Sequence, residues 1–244
     1  MKVLYEIFSE MPQQGPGEDD QTDKAFDLLT DLPVKPEILD IGCGMGRQTL
    51  RLASKSDCQI TAVDNYQFFL DTLSKNAQSS GLDSKIKTLN VSMDDLNLPE
   101  ESFDLVWSEG AIYIMGFENG LAYWKKFIKP GGYLVITEAA WFTDNPPDEV
   151  KAFWDKEYPG IKTEQEHLNI IRNAGYKIID HFRLPESSWE DNYYKPLDEI
   201  VKKYRAKYAG DAESSELINY VQAEIDIYRN YPGSFGYVFY IMKK

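Results

Sequence analysis

The residues best placed to do chemistry lie in one stretch, Asp40-Ile41-Gly42-Cys43-Gly44-Met45-Gly46, where an acid ends an apolar run and glycine then recurs at alternate positions. A glycine-rich turn between a strand and a helix lets the backbone approach a nucleotide-like ligand closely. A dinucleotide fingerprint needs glycine at its first, third and sixth positions, and the sixth position here is Arg47. An acid at Asp40 would repel a pyrophosphate, yet it suits a ligand with ammonium and sulfonium charges such as S-adenosylmethionine. Asp64 ends the next apolar run, near the spacing of about 20 residues at which a βαβ unit brings a carboxylate to ribose hydroxyls. Asn65 and Tyr66 follow it, placed to flank an adenine.

These residues need a frame that delivers them to one edge. Short apolar runs at 38–41, 59–63, 86–90, 103–107 and 133–138 alternate with helical patterns at 47–54, 68–78 and 117–128. That alternation predicts parallel βαβ units with helices on both faces of the sheet. Beyond residue 140 the regularity breaks into a helix at 149–157, a helix at 163–174, a strand at 176–182, a loop with two helices over 187–232 and a last strand at 236–242. The expected fold is α/β: a doubly wound, Rossmann-like, seven-stranded, mostly parallel sheet with an antiparallel last strand and a helical cap insertion. One domain should fill 1–244. Within it, 1–35 form an N-terminal lid segment and helix, 36–140 a cofactor-binding core, and 141–175 and 185–235 cap and substrate elements. The Gln13-to-Gly17 loop, with Gly15 and Pro16 at its centre, cannot continue a helix.

The stretches ILDIGCGMG, AVD, SMDDLNLPEESFDLVWSEGAIY and IKPGGYLVITEA occur in this order over roughly residues 36–140. Together they resemble class I S-adenosylmethionine-dependent methyltransferases, and most of all the small-molecule branch typified by ubiquinone and menaquinone biosynthesis. The resemblance implies that Asp40, Gly42, Gly44 and Gly46 shape the site of the methionine moiety and that Asp64 holds the ribose. It puts Ser92-Met93-Asp94 at the adenine, with either Ser92 or Asp94 as the side chain that reads it. It sets Ser108, Glu109 and Gly110 beside the transfer point, and it has the Gln13-to-Gly17 loop, Gly15 included, closing over the cofactor. Methyl transfer needs alignment and exclusion of water more than it needs a catalytic group. Where an acceptor needs a general base, Glu109, Tyr113 and Glu138 are the candidates near the expected cleft.

Each residue also has a plainer reading. Glu109 could serve a salt bridge or a helix cap, and Ser92 or Asp94 a turn. Cys43 fits as a small filler under the loop, while His167 and His181 read as structural. Trp141, Phe142, Trp154, Trp189, Tyr193 and Tyr194 fall outside the sheet pattern, so several should face a substrate pocket. The 26 basic and 40 acidic side chains leave a net charge of −14, which argues against nucleic acid and anionic membranes as partners. The segment after the fourth strand reads SEGAIY, without the Asn/Asp-Pro-Pro-aromatic motif of nucleobase amine methylation. Two isolated cysteines make neither a disulfide framework nor a zinc set, so no metal is expected. The first residues lack an uninterrupted apolar core and no apolar run reaches spanning length, so a cytoplasmic protein with a small-molecule methyl acceptor is expected. A non-catalytic S-adenosylmethionine-binding module and an NAD-dependent oxidoreductase are the alternatives, the latter weakened by the missing third glycine.

Overall fold

The computed structural model describes residues 2–244. Helices α1 (Lys2–Glu10) and α2 (Asp19–Asp27) precede a sheet whose first half alternates strand and helix. This half runs β1 (Glu37–Ile41), α3 (Arg47–Lys55), β2 (Gln59–Asp64), α4 (Gln67–Ser79), β3 (Ile86–Asn90), β4 (Phe103–Ser108), α5 (Phe117–Trp124) and β5 (Ile128–Trp141). The second half holds α6 (Asp148–Glu157), the two-residue β6 (Lys162–Thr163), α7 (Glu164–Asn173) and β7 (Lys177–Arg183). After β7 come α8 (Glu186–Trp189), which passes through a wide turn into α9 (Lys195–Lys207), then α10 (Ala212–Asn230) and β8 (Phe235–Lys243).

The strand order is β3-β2-β1-β4-β5-β8-β7, with β6 paired to the end of β5. Strands β1 to β5 are parallel, and β8 inserts antiparallel to both β5 and β7. The expected seven-stranded path is therefore present, and β6 adds a short eighth member. Parallel strands covered on both faces must be apolar at nearly every position. Accordingly Ile38, Leu39 and Ile41 of β1 and Leu105, Val106 and Trp107 of β4 are all fully buried. Ile38, Ile60, Leu105, Val135 and Phe239 face the layer that contains α1 to α4, α9 and α10. Leu39, Val106, Ile136 and Tyr240 face α5 and α7.

Several boundaries differ from the sequence reading for local reasons. The Lys129-Pro130-Gly131-Gly132 turn is absorbed into β5 as an irregularity, where the β4 register slips between Phe103 and Leu105. Helix α7 begins one residue late because Thr163 caps it, its hydroxyl accepting from the Glu166 amide while the Glu166 carboxylate accepts from the Thr163 amide; this is a capping box. The N-terminal lid segment contains helix α1 in addition to α2. Helix α1 buries Val3 and Ile7 within the layer shared with α9 and α10, and Glu6 and Glu10 reach Lys207 and Lys203 of α9.

The chain order switches between β1 and β4, so the loops after these strands diverge and leave a crevice at their C-terminal ends. The turn into α3 is made by Gly46, which has φ +87° and packs against Leu73 of α4. A side chain there meets both backbone strain and Leu73. Gly46→Ala should lower the unfolding free energy by at least the roughly 1–2 kcal/mol that a left-handed residue costs. Urea denaturation checks this, and unchanged stability would contradict the packing described.

Candidate active site

A cavity of about 540 Å³ opens at the C-terminal ends of β1, β2, β3 and β4, within the size range of small-molecule sites. At one end its wall comprises Gly42, Cys43 and Gly44 of the glycine loop, Asp64 and Asn65 at the tip of β2, and Ser92 and Met93 after β3. The Asp64 carboxylate accepts from the Gly44 amide at 3.0 Å and the Tyr66 amide at 2.9 Å. Those bonds fix its orientation, while burial pushes its pKa up. Leu4, Tyr5 and Phe8 of α1 roof this end together with Tyr66 and Phe69. The Tyr5 and Tyr66 rings lie 4.5 Å apart.

The Gln13-to-Gly17 loop packs directly on the glycine loop. The Gln14 amide oxygen accepts from the Met45 amide at 3.0 Å, and its Nε2 donates to the Phe8 carbonyl at 3.1 Å. Gly44, at φ +55°, has Gln14 pressed against it, so a side chain at Gly44 would displace the lid residue. Gly15 lines the cavity in the open part of this loop. The Gly17 amide donates to the Ser188 carbonyl at 3.3 Å, which ties the lid to α8.

Four residues expected at the ligand are absent from the wall. Asp40 is fully buried beneath the loop, where it accepts from Thr49 Oγ1 and Gln48 Nε2 of α3. Burial, partly offset by those bonds, raises its carboxyl to about 7. Gly46 is the entry to α3. Ser108 is buried and donates to the Ile41 carbonyl at 2.8 Å. Asp94 is exposed and accepts from the Ser92 hydroxyl, so Ser92 and Met93 form the cavity edge at this point.

The candidate bases are also redirected. Glu109 borders the cavity, but its carboxylate is filled by Arg47, by the Thr22 hydroxyl at 2.9 Å and by the Trp107 indole N–H at 2.9 Å. Three donors leave it an anchor rather than a free base. Glu138 lies one residue before the wall residue Ala139 and is almost fully buried. Neither of its oxygens has a hydrogen-bond partner, and burial, only partly offset by the nearby Tyr158 hydroxyl, raises its carboxyl to about 8. Tyr113 does line the cavity, edge-on to the Tyr158 ring at 5.8 Å.

The far end of the cavity is aromatic. Tyr113, Trp154, Tyr158, Trp189, Tyr193, Tyr220 and Tyr237 surround Glu157 and Glu224 there. Of the aromatic residues flagged in the sequence, Trp154, Trp189 and Tyr193 reach the wall. Tyr194 stands behind it and donates to Glu224 at 3.0 Å. Trp141 packs on Phe235, and Phe142 lies under the Arg183 guanidinium. His167 is buried against Tyr240 and its pKa falls to about 3 through desolvation; His181 pairs with Glu164. The sequence reading missed Gln14, Arg47 and Glu224. Glu224 had a visible signal, since it interrupts the apolar stripe of Val221, Ile225 and Tyr228 on α10.

The strand order, the inserted antiparallel β8 and the site at the switch point are those of the class I methyltransferase fold, and residues 38–132 match the family model of the methyltransferase domain. A SAM-dependent methyltransferase from Geobacter sulfurreducens, solved with S-adenosyl-L-homocysteine, superposes with a TM-score of 0.85 at 17% identity, over 99% of this chain and 97% of that one. The [4+2]-cyclase SpnF superposes with a TM-score of 0.77 at 21% identity, over 100% and 91%. In sequence, the sterol 24-C-methyltransferase erg-4 of Neurospora crassa is 25% identical over 171 residues, which are 66% of this chain and 45% of that protein. The chain spans about half the length of the curated relatives it first matches. Among the described residues, no helix is long and apolar enough to cross a membrane.

The buried carboxyls make stability depend on pH. Glu138 ionises near 4.5 when unfolded and near 8 when folded. Between those values the folded state holds the extra proton, so stability falls as pH rises. Glu138→Gln removes that proton and keeps the shape, so it should flatten the loss of unfolding free energy between about pH 6 and 8. Urea melts at the two pH values check this; equal slopes in both proteins would contradict it.

Proposed function

We propose that the chain is an S-adenosylmethionine-dependent methyltransferase acting on a small-molecule acceptor. The observation that carries this reading is the continuity of the cavity. One end has the glycine loop, the Asp64 carboxylate and an aromatic slot, and the other is a separate wall with room beside the first. Asp64 has lone pairs free for ribose hydroxyls beyond the two amides it accepts, and Asn65 lies next to it. Tyr66, Tyr5 and Met93 offer flat or polarizable surfaces for an adenine, with Ser92 at its edge. Gly42, Gly44, Gly15 and Gln14 frame the methionine end. When bound, S-adenosylmethionine supplies an electrophilic methyl group on a sulfonium.

The chain's own contribution is position and dryness. Asp40 locks the loop to α3 from below, and Arg47 with Glu109 locks α3 to the end of β4. Helix α1 and the Gln13-to-Gly17 loop exclude water, which strengthens electrostatic effects at the reacting centre. A binding module without turnover should have a blocked acceptor side, and the cavity argues against that. Neither long basic clusters nor a nucleobase-methylation motif marks the chain, so the acceptor is read as a metabolite rather than nucleic acid. Two buried free thiols fit a reducing, cytoplasmic setting.

Calorimetric titration should show S-adenosylmethionine and S-adenosylhomocysteine binding and NADH failing to bind. Asp64→Ala should weaken both ligands by roughly 1–3 kcal/mol, the cost of unpaired polar ribose groups. Tight NADH binding with no response to the other two would overturn the proposal. Unchanged affinity in the variant would displace the ribose from Asp64.

A further inference from the structure

The charges on the cavity wall are lopsided. Arg47 is the basic residue of the lining, and its guanidinium is already committed to Glu109 and Asp19. Glu157 and Glu224 stand at the aromatic end, on α6 and α10. Glu224 receives one hydrogen bond, from the neutral Tyr194 hydroxyl. Glu157 pairs at 3.1 Å with Lys156, whose side chain is 80% exposed on the outer surface. The two carboxyls also repel one another. Around them the rings of Trp154, Trp189, Tyr193 and Tyr237 close the wall, with Trp189 and Tyr237 centred 4.8 Å apart in an edge-on arrangement. The buried Trp154 indole N–H has no partner in the protein and remains available to a ligand oxygen.

We propose that this wall recognises an organic cation, so that the acceptor of the methyltransferase proposed above is an ammonium-bearing molecule held between the aromatic rings and Glu224. The inference rests on that reading for the word acceptor, and on the wall itself for the charge. Aromatic faces present negative potential, and cages of such faces are the physical solution for alkylammonium groups. A carboxylate shielded from water without a cation is costly, and desolvation lifts the half-buried Glu224 to about 7. An ammonium in the cage supplies the missing countercharge. Glu224 is also placed to take the proton that a protonated amine must give up before its nitrogen has a lone pair. A carboxylate or phosphate acceptor would meet Glu157 and Glu224 with like charge, and a neutral alkyl group would leave Glu224 without a countercharge.

The groups facing Glu224 are Glu157 of α6, Tyr193 and Tyr194, Tyr220 of its own helix, Tyr113 and Tyr237. All the tyrosine pKa values are pushed up, so none of these hydroxyls titrates near neutrality. Cation affinity should therefore rise with pH through about 7, where Glu224 loses its proton.

The test uses full-length protein saturated with S-adenosylhomocysteine and two probes of matched shape, choline and the neutral 3,3-dimethylbutan-1-ol. Calorimetry should show choline binding at least about ten-fold tighter than the alcohol, as expected of a desolvated cation–π site. Glu224→Gln should bring the two probes to within about two-fold and remove the rise in choline affinity through about pH 7, while leaving S-adenosylhomocysteine affinity unchanged. Glu157→Gln, on a separate helix, should give a smaller loss in the same direction and serves if the first variant does not fold. Equal binding of the two probes, no choline binding to the loaded protein, or an undiminished preference in both variants would overturn the cation site. Failure of S-adenosylhomocysteine to bind would instead overturn the cofactor reading.

Discussion

Arg47 and Glu109 meet across the point where the sheet reverses direction, and the site is organised around that contact. Arg47 opens α3, directly after the glycine loop, while Glu109 follows the last residue of β4. The same carboxylate also accepts from Thr22 of α2 and from the Trp107 indole, and Arg47 reaches Asp19. Lid, loop and sheet edge are thus joined through one ion pair with little exposure, its side chains 17% and 5% accessible. A pair this sheltered contributes through geometry more than through net Coulomb energy, because desolvation offsets much of the attraction. Removing Arg47 would leave the nearly buried Glu109 carboxylate without its cation, and removing Glu109 would leave Arg47 to Asp19 and Thr22 of α2, freeing the end of β4.

A second constraint lies beneath the first. Asp40, Thr49 and Gln48 fasten the base of the glycine loop to α3. The loop can therefore hold an unusual backbone path while its upper surface stays open to the cavity. Asp40, near the end of β1, thus acts from below, while Asp64, at the end of β2, faces the cavity.

Much of this was legible before any coordinates. The alternation of short apolar runs with helical patterns fixed the parallel half of the sheet, because strands covered on both faces leave no polar alternatives. The places of Gly44 and Asp64 on the cavity wall were legible because they depend on backbone conformation and strand-end position, both local. The partners of Asp40 and Glu109 were not legible, because Thr49, Thr22 and Arg47 reach them through three-dimensional packing that spacing along one strand does not reveal. The lid role of Gln14 was hidden for the same reason. Tyr194 and Phe142 show that an aromatic residue outside the sheet pattern still needs its direction specified. The class I fold itself carries more than one chemistry, as its likeness to a [4+2]-cyclase illustrates, so function here rests on the site.

The account stands on a single cavity with a cofactor end at Asp64 and an acceptor end at the aromatic wall. A crystal structure of the protein soaked with S-adenosylhomocysteine tests it most directly. The account predicts ribose hydroxyls on the Asp64 carboxylate, the adenine between Tyr66 and Met93, and the thioether sulfur turned toward Tyr113 and Tyr237. A ligand whose ribose lies away from Asp64, or whose sulfur points away from the aromatic wall, would contradict it.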